Sequence, residues 1–173
     1  MKMDKVAGSK DDEFYTPEYA VKPIIKYIKN NSKILCPFDT EESNFVKLLK
    51  AQGHTVIHTH KNEGKDFFKL TNAKVDYIIS NPPYSCKTEV LQKLFEMKVP
   101  FAMLVGVVGL FESKKRFEMF KNNNFEIMYF DKRIAYFKDY DEKKPSLNPP
   151  FSSVYICHNI LPKQIVFEEL KKK

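Results

Sequence analysis

A doubly wound α/β domain with a mostly parallel sheet is the fold class this sequence predicts, and three observations carry it. Short apolar runs of strand length alternate with segments of helical period along most of the chain. No linker, internal repeat or low-complexity tract divides the 173 residues. The run Val75 to Ile79 ends in a proline-rich segment that cannot continue a sheet, as the strand-to-helix loop of an α/β unit must.

Taken in order, residues 1–13 are polar and read as a flexible N-terminal segment, 14–168 as a single domain and 169–173 as a basic tail. Pro17 opens a helical pattern, with Thr16 as its N-cap. Ala20, Val21, Ile24, Ile25 and Ile28 share one face of it, and Asn30-Asn31 ends it. Ile34-Leu35-Cys36 is a buried strand. Thr40 caps a second helix whose stripe is Phe45, Val46, Leu48 and Leu49, and Gly53 stops it. Thr55–Thr59 and Val75–Ile79 are strands, followed by a helix over 87–98 and a strand over Phe101–Val105. A helix near 111–121 turns Phe117 and Phe120 inward. Phe125–Phe130 and Val154–Cys157 are late strands. Sheets of this kind bind ligands at the carboxyl ends of their strands, where strand order switches.

Composition narrows the function. With 43% apolar and 14% aromatic residues the chain can build a core, which excludes a largely disordered protein. No apolar run approaches the ~18 residues of a membrane span. Three cysteines in no close pair and no apparent signal peptide point to a reducing, cytoplasmic location. The net charge of +7 divides into +2 for residues 1–80 and +5 for 81–173. That excess suits a polyanionic partner. Only two of the 29 bases are arginines, so non-specific phosphate attraction is favoured over base reading.

The chemistry is concentrated in Asn81-Pro82-Pro83-Tyr84. Two prolines without amide hydrogens hold the segment stiff. Asn81 offers a side-chain acceptor, Pro82 a backbone acceptor and Tyr84 a flat ring. Together they can clamp an exocyclic amino group and stack on the base that carries it, as an enzyme acting on an unstacked base requires.

This tetrapeptide resembles the catalytic motif of the N6-adenine DNA methyltransferases, and further segments follow in that family's order. Phe14-Tyr15-Thr16-Pro17 looks like its N-terminal cofactor motif. Pro37-Phe38-Asp39, after Cys36, resembles the first-strand motif, and Asp66-Phe67 sits where the family contacts the cofactor's adenine. Arg133 and Phe137 resemble the late segment that helps hold the target base. The resemblance implies a Rossmann-like, S-adenosylmethionine-dependent methyltransferase. Asn81 and Pro82 would orient N6, Pro83 would stiffen the turn and Tyr84 would stack. It also implies an adenine-containing DNA partner, with RNA presenting the same amino group. Lys114, Lys115 and Arg116, with Arg133 and Phe137, are the candidate nucleic-acid contacts. The family's catalytic core takes up nearly the whole chain, so affinity falls to the basic charge or specificity to a separate partner. The compact motifs suit a small phage or mobile-element protein.

The first strand-to-helix loop departs from the pattern. It reads Phe38-Asp39-Thr40-Glu41-Glu42-Ser43, and no glycine occurs between Ser32 and Gln52. The second strand ends at His58, Thr59 and His60 rather than an acid. These departures support a second reading, a methyltransferase fold that binds nucleic acid or protein without turnover. His58 and His60 lack a nearby third ligand, so no metal is expected. Asn148-Pro149-Pro150-Phe151 repeats the tetrapeptide, but it follows a loop and reads as a turn before a strand. A nucleotide-transfer enzyme would want a phosphate-cradling glycine loop, which is absent, and Asp139, Asp141 and Glu142 read as a charged loop.

Overall fold

A computed structural model describes residues 15–60, 66–137 and 151–172. The elements, in chain order, are α1 (Glu18–Ile25), β1 (Lys33–Cys36), α2 (Asn44–Ala51), β2 (Thr55–His58), β3 (Tyr77–Ser80), α3 (Lys87–Met97), β4 (Phe101–Gly106), α4 (Lys114–Lys121), β5 (Glu126–Phe130), β6 (Ser153–His158) and β7 (Ile165–Glu168). Seven strands form one sheet in the order β2-β1-β3-β4-β6-β5-β7. The pairs from β2 to β4 are parallel, as is β5 with β7, while β6 runs antiparallel between β4 and β5.

The period of two along the strands sends alternate side chains to two cores. From β4, Ala102 and Leu104 pack with Ala20, Ile24, Phe45 and Leu49 beneath α1 and α2. Phe101, Met103 and Val105 of the same strand pack with Leu91, Leu94 and Phe120 beneath α3 and α4. Each fully buried Leu, Ile or Phe of this kind contributes about 1.5–3 kcal/mol relative to exposure. Helices on both faces make the sheet doubly wound, as expected.

Four local expectations shift. α1 starts after Pro17, and Thr16 does not cap it with its side chain. Pro23 lies inside it and donates no hydrogen bond, and the helix gives way to turns after Ile25. The cap of α2 is Ser43, accepting from the Phe45 amide at 3.2 Å, not Thr40. Helix α4 begins at Lys114 and buries Met119 and Phe120. At about 100° per residue a helix facing the sheet through those two must turn Phe117 aside, and Phe117 is 58% exposed. Phe111 and Phe125 pack beside Phe120 instead, their rings 4.7 and 5.0 Å from its ring.

Strand β7 was not foreseen. Its connection from β6 is held by one carboxylate: Glu126 accepts from the amides of Asn159, Ile160 and Leu161 at 3.0, 2.9 and 2.9 Å. Lys26 and Tyr27 of the turn after α1 then reach Glu168, each at 2.5 Å. In the segment expected to be a basic tail, Leu170 is buried and its amide donates to Asp131 at 2.9 Å. The expected flexible segment 1–13, Phe14, Gly64-Lys65, the Asp139–Leu147 loop and Asn148-Pro149-Pro150 lie outside the described residues. Among the described residues no helix is long and apolar enough to cross a membrane.

Candidate active site

Strand order switches at β1 and β3: β2 lies to one side of β1, and β3 and β4 follow on the other. A crevice therefore opens at the carboxyl ends of β1 and β3, and both sequence-predicted motifs arrive there. Ser80 closes β3, Asn81-Pro82-Pro83 leaves the sheet, and Tyr84–Cys86 makes one 3₁₀ turn into α3.

Asn81 is the hinge between two adjoining recesses. The first is lined by Tyr15, Thr16, Phe38, Asp39, Asn44, Asn81 and Phe137, among others. The second is lined by Asn81, Pro82, Tyr84, Lys87, Gly106, Tyr136 and Phe151, among others. Asn81 Nδ2 donates to Thr16 Oγ1 at 3.1 Å, and Asn44 Nδ2 donates to the Thr16 carbonyl at 3.0 Å. Thr16, expected to cap a helix, instead orients the amide of Asn81, with Nδ2 on Thr16 and the acceptor Oδ1 at the opposite end.

Below the first recess a side-chain network takes the place of a glycine loop. Asp39 is buried and accepts from Ser43 Oγ on one carboxylate oxygen and Ser80 Oγ on the other, both at 2.5 Å. Burial pushes its carboxyl up to about 6, against the lowering pull of the two serine hydroxyls and the His60 and His58 imidazoles. One carboxylate thus ties the loop after β1 to the residue preceding the tetrapeptide. His60 is buried within reach of its field. Among the described residues no three His, Cys, Asp or Glu side chains form a metal-binding group.

The second recess is aromatic. Tyr84 and Phe151 have ring centroids 5.0 Å apart, tilted by 43°. Gly106 permits this packing, because a Cβ there would stand 2.8 Å from the Tyr84 hydroxyl and 3.1 Å from Phe151 Cδ2. Burial raises the Tyr84 phenol to about 12.

The other predicted residues divide. Tyr15 and Phe137 meet across the first recess in a two-bond backbone bridge of 3.3 and 3.1 Å. Phe137 thus lines the first recess and its neighbour Tyr136 the second. Pro17 is buried at the start of α1. The Pro37 carbonyl accepts from Thr59 Oγ1 at 3.1 Å. The Asp66 carboxylate accepts from the Phe68 amide at 2.9 Å, capping a short turn, and the Phe67 ring lies 5.2 Å from that of Phe38. Neither Asp66 nor Phe67 is among the residues lining the first recess. Lys114 and Lys115 are exposed on α4, and Arg133 is exposed after β5. Arg116 Nε donates to the Glu112 carbonyl at 2.8 Å, and its charge reaches Lys87. Sequence reasoning missed Ser43, Asn44, Ser80, Lys87, Gly106, Tyr136 and Phe151. Phe151 had a signal, as the aromatic residue of the second Asn-Pro-Pro tetrapeptide, while Lys87 had none.

No family model matches the sequence, and no curated protein is similar to it. Solved structures are similar in fold. A modification subunit ascribed to a type I restriction enzyme from Vibrio vulnificus YJ016 superposes with a TM-score of 0.59 at 11% identity, over 98% of this chain and 49% of that one. The methyltransferase subunit of a type I restriction-modification system from Streptococcus thermophilus gives 0.52 at 12% identity, over 91% and 47%. A dimethyladenosine transferase from Plasmodium falciparum gives 0.51 at 12% identity, over 84% and 62%. The chain has the Rossmann-like fold of these methyltransferases, and it spans about half the length of the type I subunits it matches.

Proposed function

We propose that the chain transfers a methyl group from S-adenosylmethionine to the N6 amino group of adenine in DNA. The observation that carries this reading is the position of Asn81 and Pro82, which line both recesses at the carboxyl end of β3. An acceptor pair at such a junction can face a methyl donor on one side and a base on the other.

The lining of the first recess suits the donor. Phe38 offers an aromatic surface, Thr16 and Asn44 offer polar atoms, and Tyr15 and Phe137 close the opposite wall. These residues would hold S-adenosylmethionine, which when bound supplies an electrophilic methyl group on a sulfonium. In the second recess Tyr84 would stack on the adenine, with Phe151 and Tyr136 completing an apolar wall. Asn81 Oδ1 and the Pro82 carbonyl would accept from the two amino hydrogens and aim the nitrogen lone pair. Catalysis is then positioning and electrostatics, with no covalent enzyme intermediate. Lys114, Lys115, Arg116 and Arg133 would draw in the phosphate backbone, giving salt-sensitive affinity. The fold likeness to subunits of type I restriction-modification systems supports a separate specificity partner for target choice.

A second reading has its own observation. The first loop has no glycine, and both Asp39 oxygens are engaged by serines, so the fold could serve binding without turnover. The test uses radiolabelled S-adenosylmethionine and adenine-containing DNA, with RNA in parallel and Asn81→Ala as control. Label in adenine with the unaltered protein, lost in Asn81→Ala, supports methyl transfer. Equal labelling by both overturns the role of Asn81. No calorimetric binding of S-adenosylmethionine, with or without DNA, moves the conclusion to the second reading.

A further inference from the structure

The second recess has one charged side chain among its described lining residues, Lys87. Its location is costly. Lys87 is buried, and it is the first residue of α3, where a positive charge opposes the helix dipole. Among the described residues no carboxylate lies within ion-pair distance of its ammonium. Instead Nζ donates to the carbonyls of Gly106 at 3.4 Å and Val108 at 3.3 Å, at the end of β4. It also lies over the Tyr84 ring, 5.4 Å from the centroid.

These contacts converge on one side chain. Tyr84 meets the Lys87 cation, the Phe151 ring and the bare α-carbon of Gly106. We propose that Lys87 is a positioning residue whose ammonium, tethered to the Gly106 and Val108 carbonyls, holds the Tyr84 ring as the stacking platform for the target base. The identity of that base rests on the methyl-transfer reading above. The holding of the ring does not.

The charge of Lys87 is the variable that can be turned. From α4, Arg116 faces it as a like charge. From the tetrapeptide turn and the segment before Phe137, the Tyr84 and Tyr136 phenols face it, both pushed up by burial and so neutral. β4 contributes no titratable side chain between Phe101 and Gly106. Burial, and secondarily Arg116, bring the Lys87 ammonium down to about 8. Its cation is present below that pH and lost above it, so the platform is held at neutral pH and loosened in mild alkali.

The experiment follows Tyr84 directly. Tyrosine ring resonances of the full chain are recorded by NMR across pH 8, with Tyr84→Phe for assignment, in the unaltered protein, Lys87→Met and Lys87→Arg. The expected result is a Tyr84 titration with its midpoint near 8 in the unaltered protein and none in either variant. Methylation kinetics on adenine-containing DNA should show KM rising roughly twofold to thirtyfold through that midpoint, the range of a cation–π contact. kcat should change less, and Lys87→Arg should keep the low KM at alkaline pH. A Tyr84 signal that does not titrate in the unaltered protein overturns the proposal, and so does a KM profile unchanged in Lys87→Met. If the chain methylates nothing, the ring titration still decides the role of Lys87, so the two failures are separable. The unaltered protein alone gives that readout should Lys87→Met fail to fold.

Discussion

Replacing Asp39 by asparagine should change the pH dependence of folding in a direction the structure fixes. Asp39 is buried, and its carboxyl is raised from 3.8 to about 6, chiefly by burial. The folded pKa is therefore above the unfolded one. For a carboxyl shifted that way, the folded state holds its proton more tightly than the unfolded chain does. The resulting stability is complete below about pH 3.8 and is lost as pH rises through about 6. A shift of about 2 pH units corresponds to roughly 3 kcal/mol.

Asp39→Asn removes the ionisation and keeps the shape and one acceptor oxygen. Urea unfolding of both proteins from pH 4 to 7.5 should show the unaltered protein losing up to about 3 kcal/mol relative to the variant, the loss spread between about 3.8 and about 6 and level above that. Groups elsewhere titrate in both proteins and cancel in the difference. A flat difference would show that the serine and histidine partners fully offset burial. A difference of opposite sign would show that they exceed it, with Asp39 acting as an ordinary stabilising carboxylate, and either result refutes the reasoning.

Two further substitutions test the same region. Ser43→Ala removes both the cap of α2 and one donor to Asp39. It should cost about 1–2 kcal/mol by chemical denaturation and push the Asp39 midpoint higher. Gly106→Ala places a methyl group 2.8 Å from the Tyr84 hydroxyl. It should cost about 1–3 kcal/mol and displace Tyr84, read as a change in near-ultraviolet circular dichroism. An unchanged spectrum with unchanged stability would mean that the phenol shifts freely.

How much was legible follows from the range of the forces involved. β1, β4 and β6 are buried and continuous in apolar character, and such runs declare themselves locally. β7 did not: Ile165 and Phe167 are exposed, Phe167 by 78%, and only Val166 is buried. Its place is set by β5 alongside and by a carboxylate 39 residues before Ile165 in the chain. The start of α2 was misplaced for a related reason. Thr40-Glu41-Glu42 is a good local cap, but Asp39 pairs with Ser80, 41 residues away, which draws the loop inward and leaves Ser43 to start the helix. The tetrapeptide was visible because its stiffness is intrinsic to proline. Lys87 and Gly106 were not, because they matter only through the Tyr84 ring they surround.

The same long-range pairing explains how a loop without glycine can lie this close to the switch point. In a Rossmann-like site glycine usually clears space for the backbone to approach a ligand. Here the loop after β1 is held by its own side chains. The Asp39 amide donates to the Thr59 carbonyl, and the Asp39 carboxylate bridges Ser43 and Ser80. Asn44, the first residue of α2, is thereby set against Thr16, which receives Asn81. The position of the Asn81 amide is thus linked, through Ser80 beside it and through Ser43, the adjoining Asn44 and Thr16, to a titratable buried acid. Ionisation of Asp39 should be felt at Asn81 as well as in global stability. The two effects separate experimentally: Asn81 side-chain amide resonances should move with a midpoint near 6 in the unaltered protein and stay still in Asp39→Asn. Movement in both would show that the response does not originate at Asp39.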